Sequence, residues 1–235
     1  MKNVSRKKQG GSAIIALLAC GAIPGNAMAA GHGTEGGVYM GVDFGKTTLD
    51  ARAGDFNSFA SRAVGGASAA STSGSQLDRS DSGWSLVLWG MQERHFGMEV
   101  AYHRSVTMDW RGAVDIDGEE VAVPVSVGIS SKGWSGSAVG IWAFNDRLQL
   151  EGRAGAFFGQ AKTVASFPIE GAGTVKVSEK DSGISPMLGA NLVFFPSRRF
   201  ALNLGYTWFG DVAGKSVGRV SLGGRLYIAR GSAFL

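Results

Sequence analysis

The heptapeptide FGMEVAY at residues 96–102 restricts the fold more than any other stretch, because Phe96, Met98, Val100 and Tyr102 alternate with small or polar residues around Glu99. A period of two describes a strand with one apolar and one polar face. FALNLGY repeats the pattern with Phe200, Leu202, Leu204 and Tyr206 around Asn203, and LQLEGRA, starting at Leu148, carries Glu151 and Arg153 on its polar side. Leu148 lies 52 residues after Phe96, and Phe200 lies 52 after Leu148. A repeated two-strand unit follows.

The leader comes off before the composition is weighed. Lys2, Arg6, Lys7 and Lys8 precede the apolar run AIIALLACGAI, and Ala27-Met28-Ala29 offers small residues at the positions a signal peptidase reads. The run is shorter than the ~20 apolar residues that cross a bilayer, so residues 1–29 read as a cleaved signal peptide. Leu17-Leu18-Ala19-Cys20 also fits a lipoprotein signal that would lipidate Cys20, but the Ala-Met-Ala site lies at a natural distance past the apolar run and is the reading taken. The mature chain then starts at Ala30. Four of the 23 basic residues leave with the leader and 19 remain against 19 acidic ones, so the mature protein is neutral and nothing points to nucleic acid. Cys20 is the only cysteine, and with it goes any disulfide or thiol chemistry.

Eight strands are expected, near residues 36–47, 83–91, 95–104, 133–144, 147–159, 183–195, 199–209 and 218–229. In the second, Trp84, Leu86 and Leu88 share a phase while Val87 and Trp89 blur the other. The fourth has no assignable phase, since apolar and small residues fall on both sides. Short polar turns at 92–95, 145–147 and 196–199 make antiparallel hairpins. Longer connections alternate with them. Residues 50–82 are rich in Gly, Ser and Ala and read as a loop without a periodic element, and 160–182 reads as a third long connection. Within 103–132, VAVPVSVGIS is apolar enough to continue as an extended ribbon. Pro186 lacks a ladder donor and is placed near a strand end.

Strands of about ten residues suit a tilted membrane crossing, and closing the sheet leaves no backbone edge in hydrocarbon. Polarity sets the orientation. Asp43, Glu99, Glu151, Arg153 and Arg225, with Asn203, are too many polar groups for a small dry core, so they should line the lumen while the apolar face meets lipid. Glu99 and Glu151 are predicted to pair with Arg153 and Arg225 and plug the interior, which in eight strands is filled by side chains. Trp84, Tyr102, Trp142, Phe194, Tyr206 and Trp208 are expected in the interfacial girdles. The expected fold is thus an all-β, eight-stranded antiparallel up-and-down transmembrane barrel.

GVYMGVDFGKT, FGMEVAY, SAVGIWAFNDRLQLEGRAGAF, SPMLGANLVF and FALNLGYTWFGD resemble the successive strand and turn motifs of the OmpA-type outer-membrane barrel family. The resemblance covers residues 36 to 228 and is most specific in the three turn-plus-strand blocks. It implies short turns and termini on the periplasmic side and four longer loops outside. No peptidoglycan-binding domain is expected after the eighth strand. The ending Ala233-Phe234-Leu235 departs from a last strand closed by an aromatic residue, the usual assembly signal.

These features lead to the expectation of a monomeric, non-enzymatic protein of the cell outer membrane, structural or adhesive through its outer loops. Its partners would be membrane lipid and lipopolysaccharide, periplasmic chaperones and barrel-assembly machinery, and a host or cell-surface ligand. A narrow passive ion channel is the alternative. A second is enzymatic: His103 and Ser105, followed by Asp115, Asp117 and Glu119, resemble the His-x-Ser and downstream acid of lipid A deacylases. His103 and Ser105 share the phase of Glu99, however, and point away from lipid. Three histidines and no mature cysteine give no transition-metal spacing. GAGTVK at 171–176 lacks the third glycine of a dinucleotide fingerprint, the acidic run 115–120 reads as a solvated loop before a calcium site, and Lys176, Lys180, Arg198 and Arg199 read as surface charges. No cofactor is expected.

Overall fold

The computed structural model describes residues 37–51, 56, 59, 60, 63, 72–78, 80–93, 95–105, 108–115, 122–169, 173–212 and 215–230. The expected leader, residues 1–29, lies outside them. Ten strands are described: β1 (Gly37–Leu49), β2 (Thr72–Leu77), β3 (Ser80–Gln92), β4 (Phe96–Ser105), β5 (Met108–Asp115), β6 (Ala122–Asn145), β7 (Leu148–Ile169), β8 (Gly173–Phe194), β9 (Phe200–Val212) and β10 (Lys215–Arg230). Every pairing is antiparallel, in the order β1, β3, β4, β6, β7, β8, β9, β10, and β10 pairs back onto β1. Eight strands therefore close into a barrel.

The two remaining strands are continuations. β4 pairs with β6 from Lys132 to Gly140, and β5 pairs with the same edge of β6 from Ala122 to Ile129. β2 lies against β5 as β3 lies against β4. A row of directly paired residues that starts at Gly37 passes Gln92, Gly97, Val139, Arg153, Gly189, Thr207 and Arg219 and returns to β1 at Thr47, ten residues on. This stagger goes with strands tilted by roughly 35–45° to the barrel axis.

Exposure runs opposite to that of a soluble protein. Val100, Leu150, Leu204 and Leu222 are 38, 40, 54 and 61% exposed, while Glu99, Glu151 and Arg225 are 3, 1 and 1%. Only a lipid exterior makes that arrangement favourable, because apolar side chains gain nothing from water and buried charge needs partners. The class is an all-β, eight-stranded transmembrane barrel.

Three local features depart from the sequence pattern. A bulge between Val87 and Trp89 sets an extra residue of β3 opposite β4, so Val87 turns into the lumen while Trp89 faces out, like Trp84 and Leu86. The blurred phase of this strand is that bulge. In β6 the lipid face carries Trp134, Ala138, Gly140, Trp142 and Phe144, and the lumen face Ser135, Ser137, Val139 and Ile141. Small residues outside and β-branched ones inside hid its alternation. Finally, β6, β7 and β8 contain 24, 22 and 22 residues, about twice a membrane crossing. Residues 160–182, expected as a connection, are mostly a continuation of the β7–β8 hairpin, whose strand β8 starts at Gly173 in the left-handed region (φ 83°).

The long strands form an extension at the end of the barrel away from the short turns. Trp110, Val125, Val127, Phe157, Ala165 and Phe167 line its inner side. Residues 50–82 are not featureless: Phe56 and Ala60, both helical, are buried in this apolar cluster, and β2 lies at its edge. Three prolines mark where strands lose a neighbour. Pro124 lies on β6 before β7 joins at Ser126, Pro168 on β7 beyond β6, and Pro186 on β8 just before β9 joins at Met187. A residue without an N–H is tolerated where one ladder is missing.

The lipid-facing assignment yields a prediction. Leu204→Arg places a cation in mid-membrane and is expected to cost about 2–4 kcal/mol, whereas Leu204→Val costs little. Urea titration of the protein folded into lipid vesicles measures both.

Candidate functional site

The lumen is built in layers, each from the inward phase of several strands. Nearest the short turns, Tyr39 and Tyr227 meet at a tilt, 5.2 Å between ring centres, and Tyr227 also meets Phe195 at 5.6 Å. The Tyr227 hydroxyl donates to Gln92 Oε1 (2.8 Å), and Gln92 Nε2 donates to Gln149 Oε1 (3.3 Å). Gly90 of β3 makes room for this layer, since a Cβ there would strike the ring of Tyr39.

The next layer holds the charges. Arg153 Nη1 donates to Glu99 Oε1 at 2.9 Å, and Arg225 Nη1 to Glu151 Oε1 at 2.7 Å. Arg153 Nη2 lies 3.5 Å from Glu151 Oε2, a longer contact through charge that ties the two pairs together. Neutral groups add to the set. The Tyr39 hydroxyl donates to Glu99 Oε2 (2.8 Å) and Gln149 Nε2 to Glu151 Oε1 (2.8 Å). The Arg225 guanidinium lies 4.9 Å from the centre of the Tyr39 ring. With its oxygen toward the cations, Asn191 accepts from Arg153 Nε at 2.8 Å and from Arg225 Nη2 at 3.2 Å. Five strands, β1, β4, β7, β8 and β10, thus contribute to one connected cluster.

Asp43, grouped with these charges in the sequence, stands apart from them. Its Oδ1 accepts from Asn203 Nδ2 (2.8 Å) and its Oδ2 from Ser85 Oγ (3.3 Å), while its carbonyl takes Arg219 Nη2 (3.1 Å). Arg219 was missed, although it shares the phase of Arg225 and was legible as a second inward cation on the last strand. Tyr39, Gln92 and Gln149 were likewise in the polar phase without being given a role.

Above Asp43 lies His103, whose Nε2 is 2.7 Å from Ser135 Oγ and whose ring meets Phe157 and Phe209 edge-on at 5.9 and 5.4 Å. Ser105 Oγ lies 2.9 Å from Ser131 Oγ. A cavity of about 20 Å³ among Thr47, His103, Ser131 and Arg219 is large enough for one water. Among the described residues His103 Nδ1 finds no hydrogen-bond partner, so no described carboxylate orients it as a catalytic relay requires. Asp117 and Glu119 lie outside the described residues, as does the side chain of Asp115. Among the described residues no three metal-ligating groups cluster.

The six girdle candidates all face out. Trp142 and Phe194 lie near the short-turn end, 60 and 42% exposed, and Trp84, Tyr102, Tyr206 and Trp208 lie toward the other end. Tyr102 bridges Trp84 and Trp134 at 5.8 and 5.3 Å.

A closed sheet with lipid-facing apolar side chains and an ion-paired interior defines an integral membrane β-barrel. No protein-family model matches the chain, and no curated protein matches its sequence. Among solved structures, it is similar to Ail, the attachment invasion locus protein of Yersinia pestis, at 17% identity over 83% of this chain and 99% of that one, with a TM-score of 0.46. It is also similar to OprG of Pseudomonas aeruginosa (10%; 84% and 99%; 0.43) and to Neisserial surface protein A (13%; 80% and 96%; 0.40). The barrel assignment rests on the chain's own register and exposure.

The charged layer carries its own prediction. Glu151→Leu leaves Arg225 buried without its carboxylate and is expected to cost about 3–5 kcal/mol, while adding Arg225→Leu recovers part of that loss. Urea unfolding of the single and double variants in lipid vesicles gives the comparison.

Proposed function

We propose that this is a monomeric, non-enzymatic protein of the outer membrane whose extended end stands outside the cell and makes surface contacts. The observation that carries the reading is a lumen filled by linked ion pairs beneath an extension that rises well past the lipid-facing band. A plugged interior offers no path for solute, so the outer surface is where the molecule meets anything. Loops and extensions on a rigid scaffold are where specificity usually resides.

The leader expected at residues 1–29 supports export, and the short-turn end would then face the periplasm, where chaperones and the assembly machinery deliver the chain. A deacylase-like activity is disfavoured because His103 and Ser105 bond to Ser135 and Ser131 inside the barrel, away from any lipid substrate.

Heat-modifiable gel mobility in outer-membrane fractions tests location and closure together, with a faster unheated band expected there. In planar bilayers the wild type is expected to give no large, stable conductance, and such a conductance would revive the channel reading. Cells carrying the protein are expected to adhere to host cells or to one another better than cells without it. Equal adhesion together with a detergent-sensitive envelope in the deleted strain would instead mark a structural component.

A further inference from the structure

The outward face of the extension carries a contiguous row of cations that the lumen chemistry does not use. Arg104 on β4 lies directly opposite Lys132 on β6, and Lys162 on β7 directly opposite Lys180 on β8. Lys132 faces Gln160, which places Lys162 on the adjoining diagonal. Direct neighbours of this kind have Cβ atoms about 5 Å apart and diagonal ones about 7–8 Å. All four side chains are exposed, and none is in an ion pair with a described residue.

No acid interrupts them. Over the described outward positions of β4, β6, β7 and β8 in the extension there is no Asp or Glu, and Glu179 and Asp181 lie in the other phase, opposite Thr163 and Ala161. Like charges set opposite one another on a sheet are destabilising. Two such pairs side by side are a cost that a bound polyanion would remove.

The position of the row identifies the anion. Tyr102, Trp134, Phe158 and Ile184 are directly paired across the same four strands, and Trp134, Phe158 and Ile184 are 48, 51 and 68% exposed. This is the last apolar band before the cations begin. Because rows climb in a tilted barrel, Arg104 and Lys132 stand at the edge of the band, while Lys162 and Lys180 stand further out. Four neighbouring strands spread the charges over roughly 15 Å, wider than the single phosphate of a phospholipid.

We infer that Arg104, Lys132, Lys162 and Lys180 form a binding stripe for the phosphorylated sugar headgroup of lipopolysaccharide in the surrounding leaflet. The inference rests on the outer-membrane reading above. Arg104 and Lys132 meet the phosphates at the hydrocarbon boundary, and Lys162 and Lys180 meet the anionic groups of the sugars beyond. Lysine stems lie along the apolar band and lift their ammonium groups to that level.

The test is titration of the detergent-folded protein with purified lipopolysaccharide, its dephosphorylated form, phosphatidylglycerol and inorganic phosphate. Wild type is expected to bind intact lipopolysaccharide more tightly than the other three, and less tightly as salt rises. The variant Arg104→Ser/Lys132→Ser/Lys162→Ser/Lys180→Ser is expected to weaken that binding by roughly tenfold or more. Retained heat-modifiable mobility shows that this variant is folded, and Lys→Arg at the three lysines is expected to preserve binding. Equal affinity for the dephosphorylated form, for phosphatidylglycerol or for phosphate would overturn the assignment in the wild type alone, as would a folded quadruple variant that binds within twofold of it. Because outer-membrane fractionation is read separately, a correctly located protein that fails to bind refutes the stripe and leaves the barrel reading intact.

Discussion

Hydrocarbon offers a peptide group no partner, and the rest of this structure follows from that constraint. The pairing of β10 with β1 removes the last open ladder within the membrane-sized part of the sheet. Once the sheet is closed, each strand must send alternate side chains to opposite media. Apolar residues go to lipid, which leaves the polar ones to be satisfied within a narrow lumen. Glu99, Glu151, Arg153 and Arg225 meet because three strands, β4, β7 and β10, deliver their inward positions to one level, and Tyr39, Gln149 and Asn191 add further hydrogen bonds. A buried ion pair is weak evidence of stability by itself. Here it is what makes a charged interior tolerable.

The sequence was legible where one face met lipid and the other a polar lumen. FGMEVAY, LQLEGRA and FALNLGY show this directly, and their inward Glu99, Glu151, Arg153 and Asn203 lie in the interior. Legibility failed for three physical reasons. A single extra residue at the β3 bulge put Val87 and Trp89, both apolar, on opposite faces. In β6 the lipid accepted glycine and alanine while the lumen accepted valine and isoleucine, so hydrophobicity no longer distinguished the faces. In the extension both sides of β8 reach solvent over residues 176–184, and no alternation is required of a strand exposed on both faces.

The candidate site was legible as a set of charges but not as a set of partners. Phase places a residue in the lumen without fixing its height, and height decides who meets whom. Asp43 shares the inward phase with Glu99, yet it bonds to Asn203 and Ser85 one layer away. Stagger around the barrel sets that difference. It emerges from ten residues of accumulated register, a sum over eight pairings that no local pattern reports.

The bare margin of β8 beyond Pro186 bears on whether a strand of another molecule can extend the sheet. Over residues 173–186 this strand has β7 on one side and, among the described residues, no strand on the other. Two copies meeting there antiparallel about Ser178, Glu179 or Lys180 would bring Lys176 against Lys180, Glu179 against its twin, or Lys180 against its own. Repulsion in each of these alignments opposes antiparallel extension of the sheet by a second copy at this margin.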